Sequence, residues 1–195
     1  MLAPMTTSTK SARDTLIETA LRLFHQDGFH ATGIDRILAE SKVAKATLYK
    51  YFRSKDVLML EALRLRDARF REHLETQVAA RAAGPRDALL KVFEVLEEWL
   101  ATPGFRGCLF INASAEFGDP VDPLHKAAAE HKARVMDWLH RLCAKAGAPD
   151  AFGLARQLCL LKEGAIVTAQ VSTSPRAAST ARAIAEQLIT QAFPR

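Results

Sequence analysis

Apolar residues recur along this chain at three- and four-residue spacing almost from end to end, while the two-residue alternation of a half-buried strand is nearly absent. Leu16, Ile17, Ala20, Leu21, Leu23 and Phe24 share one side of a helix predicted over 11–27, and Gly28 is a natural stop for it. Thr32 and Asp35 have the spacing of a capping box, with Asp replacing the longer Glu. A short helix should follow, turning Ile34, Ile37 and Leu38 inward and ending near Glu40 or Ser41. After a turn at Lys42-Val43 a second short helix is predicted over about 44–51. Ser54 then stands as the N-cap of a long helix from Lys55 to about Ala80, with Val57, Leu58, Leu60, Leu63 and Phe70 as its apolar stripe.

Gly and Pro punctuate the rest. Breaks at Ala82–Pro85, Thr102–Gly104, Gly118–Pro120, Gly147–Pro149 and Ser172–Pro175 separate helices predicted over 86–101, 107–117, 122–146, 150–171 and 176–192. The pattern describes an all-α chain of about nine helices. Residues 1–10 read as a disordered tail, 11–54 as a compact three-helix unit, and 55–195 as a larger bundle joined to it by the helix over 55–80.

Charge changes the picture mainly through its placement. The formal net charge is +5, and residues 1–55 hold nine Lys and Arg against five Asp and Glu, whereas the remaining 140 hold 18 against 17. No acid occurs from Ser41 to Lys55, where the sequence runs SKVAKATLYKYFRSK. Two short helices joined by a tight turn form a helix-turn-helix, whose second helix enters the DNA major groove. Lys45, Thr47 and Lys50 can face outward there while Val43, Leu48 and Phe52 pack inward. Lysines attract phosphates, and Thr47 and Tyr49 can hydrogen-bond phosphates or bases without adding charge. A basic run of this length alone is more often a solvated face; the turn, the short helix before it and the missing acids favour DNA.

Other chemistry is thin. Cys108, Cys143 and Cys159 are widely spaced and odd in number, which is neither a disulfide framework nor a zinc site and suits a reducing, cytoplasmic setting. The first residues lack an apolar core of signal-peptide length, and no run approaches the roughly 18 apolar residues of a membrane span. There is no nucleophile elbow, phosphate-cradling glycine loop or zinc helix. Neither an enzyme, a metal nor a cofactor is expected.

The stretch GFHATGIDRILAESKVAKATLYKYFRSKDVLMLEAL resembles the N-terminal signature of TetR/AcrR-family transcriptional regulators over roughly residues 10–63, and GFRGCLFINASAEF resembles one branch of that family. The resemblance implies an all-α homodimer, usually a repressor, whose DNA-binding heads are moved apart by an effector in the C-terminal domain. It implies phosphate contact by Thr32, a reading helix with Lys45, Ala46, Thr47, Tyr49 and Lys50 in or beside the major groove, and phosphate clamping by Tyr51 and Lys55, with Lys42 adding to the basic face. Two residues depart from the family. Lys42 stands where Gly is usual, at a cost of about 1 kcal/mol if the turn is left-handed. Ala44 stands where Ser often caps the reading helix. An activator of the same fold, or a helical adaptor without DNA, remains as the alternative.

In the bundle, Leu154, Leu158, Leu161, Ala165 and Ala169, with Ala177, Ala181, Ile184, Leu188 and Ala192, recur at helical spacing. They are either a two-fold interface or intramolecular core; the resemblance favours the dimer. Phe93, Trp99, Phe110, Phe117, Met136 and Trp138 are candidate walls of an effector pocket, with plain core as the alternative for most. Asn112 and Glu116, four apart, either face a cavity together or cap neighbouring helix ends. Cys108 opens a predicted helix beside Arg106, a setting that favours a thiolate open to oxidants and electrophiles, although a small buried hydrophobe is the commoner fate of cysteine. The partners expected are operator DNA, a small-molecule or electrophile effector and a second copy of the chain.

Overall fold

The computed structural model describes residues 10–172 and 176–193, and the tail expected over 1–10 lies, save for Lys10, outside the described residues, as do 173–175 of the last break. Among the described residues there are nine α-helices and no strand: α1 (Ala12–Asp27), α2 (Ile34–Ser41), α3 (Lys45–Tyr51), α4 (Lys55–Arg81), α5 (Pro85–Leu100), α6 (Leu109–Glu116), α7 (Pro123–Lys145), α8 (Ala151–Ser172) and α9 (Ala177–Ala192).

Local chemistry accounts for most ends. The Ser11 hydroxyl accepts from the Asp14 N–H at 3.1 Å, Ser54 from the Val57 N–H at 3.3 Å and the Asp122 carboxylate from the Leu124 N–H at 2.7 Å. Pro85 and Pro123 open α5 and α7, where a missing N–H costs nothing. Gly28 closes α1 at φ 90°. The start of α2 departs from expectation. Gly33, not Thr32, is its N-cap, and no side chain caps it. Thr32 is wholly buried, and its hydroxyl donates to the Gly28 carbonyl at 2.7 Å, tying down the α1–α2 turn.

The head packs α2 and α3 against α1 around Leu16, Leu23, Phe24, Phe29, Ile37, Leu48 and Phe52, all essentially unexposed. α4 carries Leu58, Met59 and Ala62 into that core at one end and Leu74 and Val78 into the bundle at the other, so one rigid helix belongs to both halves. Val57 was expected in its stripe but is 39% exposed. In the bundle α7 packs on α4, α5, α6 and α8, while α9 packs on α5 and α8.

Candidate functional site

The tight turn before α3 is closed by Lys42 in the left-handed region at φ 56° and ψ 23°, with its N–H donating to the Leu38 carbonyl at 2.9 Å. It is the one non-glycine residue with positive φ among the described residues, so the turn keeps the geometry a glycine would allow and carries the strain. Ala44 caps α3 with its carbonyl alone: the Thr47 and Leu48 N–H groups both donate to it. Leu48 and Phe52 anchor the helix in the core. Lys42, Lys45, Ala46, Tyr49, Lys50 and Tyr51 are exposed, and Thr47 is half-buried among them. Lys45 is 3.7 Å from Asp35 across the turn, an exposed pair that phosphate can readily displace. Lys55, at the N-terminus of α4, is half-buried and reaches the His30 carbonyl at 3.5 Å. Thr32 is the exception. Its buried, engaged hydroxyl cannot meet a phosphate, which corrects the contact expected of its side chain.

Asn112 and Glu116, read as either facing a cavity together or capping neighbouring helix ends, are both engaged in hydrogen bonds to other segments. Glu116, the last residue of α6, reaches across to the head. Its carboxylate accepts from the Phe29 N–H at 2.9 Å, the His30 N–H at 2.7 Å and the His30 ring Nδ1 at 2.9 Å. Burial pushes its pKa up, but the His30 and Phe29 N–H groups outweigh it and hold the carboxyl below its ordinary value. Beside it Phe117 stacks on His30, with ring centroids 4.7 Å apart, and meets Phe29 edge-on. Gly28 is required at this contact, since a Cβ there would stand 3.0 Å from the Glu116 carboxylate and its φ is positive. Asn112 is occupied too: it donates to the Arg106 carbonyl at 3.3 Å and accepts from Gln170 at 3.0 Å.

A cavity of about 270 Å3 opens between α4, α5 and α8, lined by Arg66, Arg69, Phe70, His73, Leu74, Val92, Val95, Leu96, Trp99 and Lys162. Of the expected wall residues, Trp99 lines it; Phe93 is fully buried core and Trp138 packs within the bundle, so both are corrected to packing residues. Cys108 is the N-cap of α6, 5% exposed, and accepts a hydrogen bond from Lys132 at 3.5 Å. Its cationic neighbours are thus Lys132 of α7 and Arg66 of α4 and not Arg106, which is exposed. Burial pushes the Cys143 thiol up to about 11 and Cys159 also upward, as befits inert thiols. Sequence reasoning missed Arg66 and Lys162; cations on a long amphipathic helix look like solvated face, and only the arrangement of α4, α5 and α8 around one cavity turns them inward.

Residues 16–62 match the family model for bacterial regulatory proteins of the tetR family, and residues 85–185 match that for a tetracyclin repressor-like C-terminal domain. The chain belongs to the TetR family. It is 30% identical over 174 residues to the transcriptional regulator AcuR of Cereibacter sphaeroides, covering 84% of this chain and 78% of that one. To the transcriptional repressor NemR of Escherichia coli K12 it is 28% identical over 116 residues, 59% of this chain and 58% of that one. Among solved structures, SCO4454, a TetR-family regulator from Streptomyces coelicolor, superposes with a TM-score of 0.83 at 34% identity, covering 93% of this chain and 95% of that one. TetR-family proteins are DNA-binding transcriptional regulators and not enzymes, which settles the class of this chain.

This TetR-family chain also carries an apolar outer face on α8 and α9. Leu160 and Val171 are each 76% exposed, and Phe152, Val167 and Ile184 are exposed beside them. A groove of about 700 Å3 between the two helices is lined by Leu161, Ala165, Ala177, Ala181, Ile184 and Leu188 among others. Leu154 and Leu158, expected on the same face, point into the bundle and are core, because α8 is apolar on two sides. Ala169 and Ala192 are half-buried. Among the described residues no helix is long and apolar enough to cross a membrane.

Proposed function

We propose that the chain is a homodimeric, cytoplasmic repressor that binds the two half-sites of a pseudo-palindromic operator and is released by a small-molecule effector. Residues 11–54 form the DNA-reading head and 55–195 the effector and dimer domain. The observation that carries this reading is the acid-free outer surface of α3, where Lys45, Lys50, Tyr49 and Tyr51 stand exposed on a helix held by Leu48 and Phe52. Ala46 and Thr47 complete the base-reading side, with Lys42 and Lys55 set to meet phosphates. A partner copy would cover Leu160, Val171 and Ile184, whose apolar exposure is costly in a monomer, and fill the groove lined by Leu161, Ala165, Ala181 and Leu188. Effector binding among α4, α5 and α8 would shift the population toward a head spacing that no longer fits the operator. The link between the two is α4 and the Glu116 contact.

A second release route is favoured by the Cys108–Lys132 pair: a cation against a sulfur is the neighbourhood that reactive thiols have, and NemR, named a repressor, is among the relatives. One titration tests both. Fluorescence anisotropy on DNA upstream of the protein's own gene should show salt-dependent binding, followed by release in cell-extract metabolite fractions. Release of wild type but not Cys108→Ser by a quinone assigns the switch to the thiol. Failure to bind that DNA, and any site from a genome-wide selection at low salt, would refute the DNA reading.

A further inference from the structure

The α4–α5–α8 cavity has a lopsided charge inventory. Arg66, Arg69, His73 and Lys162 line it, and no carboxylate does. Arg69 is engaged by Glu18 at 2.7 Å, outside the cavity. Lys162, 3% exposed, donates to Glu163. That same carboxylate also serves the half-buried Lys132 at 2.5 Å, so one acid answers two ammonium groups. Arg66 is left over. Among the described residues its guanidinium has neither a hydrogen bond nor an ion pair; it lies over the Phe70 ring, 5.8 Å from Cζ to centroid, and within electrostatic reach of Cys108. Burial holds its pKa below the ordinary arginine value. Beside Trp99 the remaining lining is apolar: Phe70, Leu74, Val92, Val95 and Leu96.

A half-buried cation with no carboxylate partner gives up hydration in the empty protein, and an incoming anion recovers that cost as binding energy. A guanidinium matches a planar carboxylate with two parallel hydrogen bonds. The volume, about 270 Å3, is just below the roughly 300–1,000 Å3 range of ligand pockets and leaves room for a small body only. We propose that this cavity binds a small organic carboxylate with an apolar body, the carboxylate on Arg66 and the body between Phe70, Leu96 and Trp99. The inference rests on the reading of this cavity as the effector site and names the chemistry of its ligand.

Isothermal titration of the full chain with benzoate, phenylacetate, 3-phenylpropionate and octanoate, each beside its primary amide, tests the proposal. At least one acid should bind wild type about tenfold or more tightly than its amide, the worth of one charge-assisted hydrogen bond. Arg66→Met should erase that preference, keep amide binding, and melt no lower than wild type, because it removes a half-buried charge that has no carboxylate partner. Equal binding of acid and amide, an unchanged preference in Arg66→Met, or no binding across the set would each overturn it. An acid that binds but leaves the protein on DNA would keep the carboxylate site and remove its role as effector site, so the two readings fail separately.

Discussion

Replacing Glu116 by alanine removes three acceptor contacts at the only place where α6 touches the turn after α1 through hydrogen bonds to its main chain: the Phe29 N–H, the His30 N–H and the His30 ring. Hydrogen bonds to a charged acceptor are worth roughly 1.5–3 kcal/mol each. They do not add fully here. His30 is 66% exposed, so water takes over its donors, whereas Phe29 is buried and its N–H is left with little else. The net cost should be about 2–3 kcal/mol, or a melting temperature lower by roughly 4–10 °C in a chain of this size. The functional consequence separates this contact from ordinary packing. The α3 face is untouched, so operator affinity without effector should stay within about threefold of wild type, while the effector's ability to lower it should shrink. Glu116→Gln, which keeps one acceptor oxygen, should fall between. Thermal melts with anisotropy titrations, plus and minus effector, provide both readouts. A Glu116→Ala protein that melts within about 2 °C of wild type and is released as readily would refute the reasoning. The contact also predicts an acid limit: the Glu116 carboxyl is held below its ordinary value, so its stabilisation is complete above the normal carboxylate range and disappears as pH falls through the folded-state value.

Ala44→Ser should stabilise α3 by about 1 kcal/mol by giving the Thr47 N–H a side-chain acceptor, raising the melting temperature by roughly 2–4 °C; no gain would mean that the turn at Lys42 prevents the cap. Lys45→Ala and Lys55→Ala should weaken binding to all DNA and flatten the salt slope, while Thr47→Ala and Tyr49→Ala should also change site preference; unchanged affinity and slope in all four variants would remove this face as the interface. Leu160→Glu, at an exposed apolar position of α8, should convert dimer to monomer in sedimentation and weaken operator binding by tenfold or more, roughly. His131 is buried by its packing, stacks on Phe110, meets Asp67 at 2.7 Å, and has its pKa lowered to about 4. Its neutral form is favoured in the fold, so stability should fall by about 1–3 kcal/mol as pH drops from 6.5 to 4, and His131→Gln should flatten that slope in pH-dependent denaturation.

Several helix ends were legible because a residue with a local reason stands there: Gly28, Ser54, Pro85 and Gly147. The reading helix was legible for the same reason, since α3 is anchored by two large apolar residues and its basic side needs no tertiary partner. Thr32 was misplaced, and Glu116 left open between a cavity and a helix-end cap, because their partners, the Gly28 carbonyl and the Phe29 N–H, are main-chain atoms that no side-chain pattern advertises. Leu154 and Leu158 were put outside because a helix apolar on two sides does not say which side meets a neighbour. Arg66 escaped because its significance is a missing partner, and an absence can be seen only once α8 and α5 close around it.

The Glu116 contact is written mostly to backbone. It needs a glycine at 28 with positive φ, a ring at 29 for Phe117 to lie against, and two N–H groups that any residues supply. The head is therefore an exchangeable cartridge. Residues 10–54 from another protein with the same Gly-aromatic turn, and a core that accepts Leu58, Met59 and Ala62, could be spliced onto this bundle and still be gripped by α6. A chimaera of that kind would answer to this chain's ligand while addressing a different stretch of DNA.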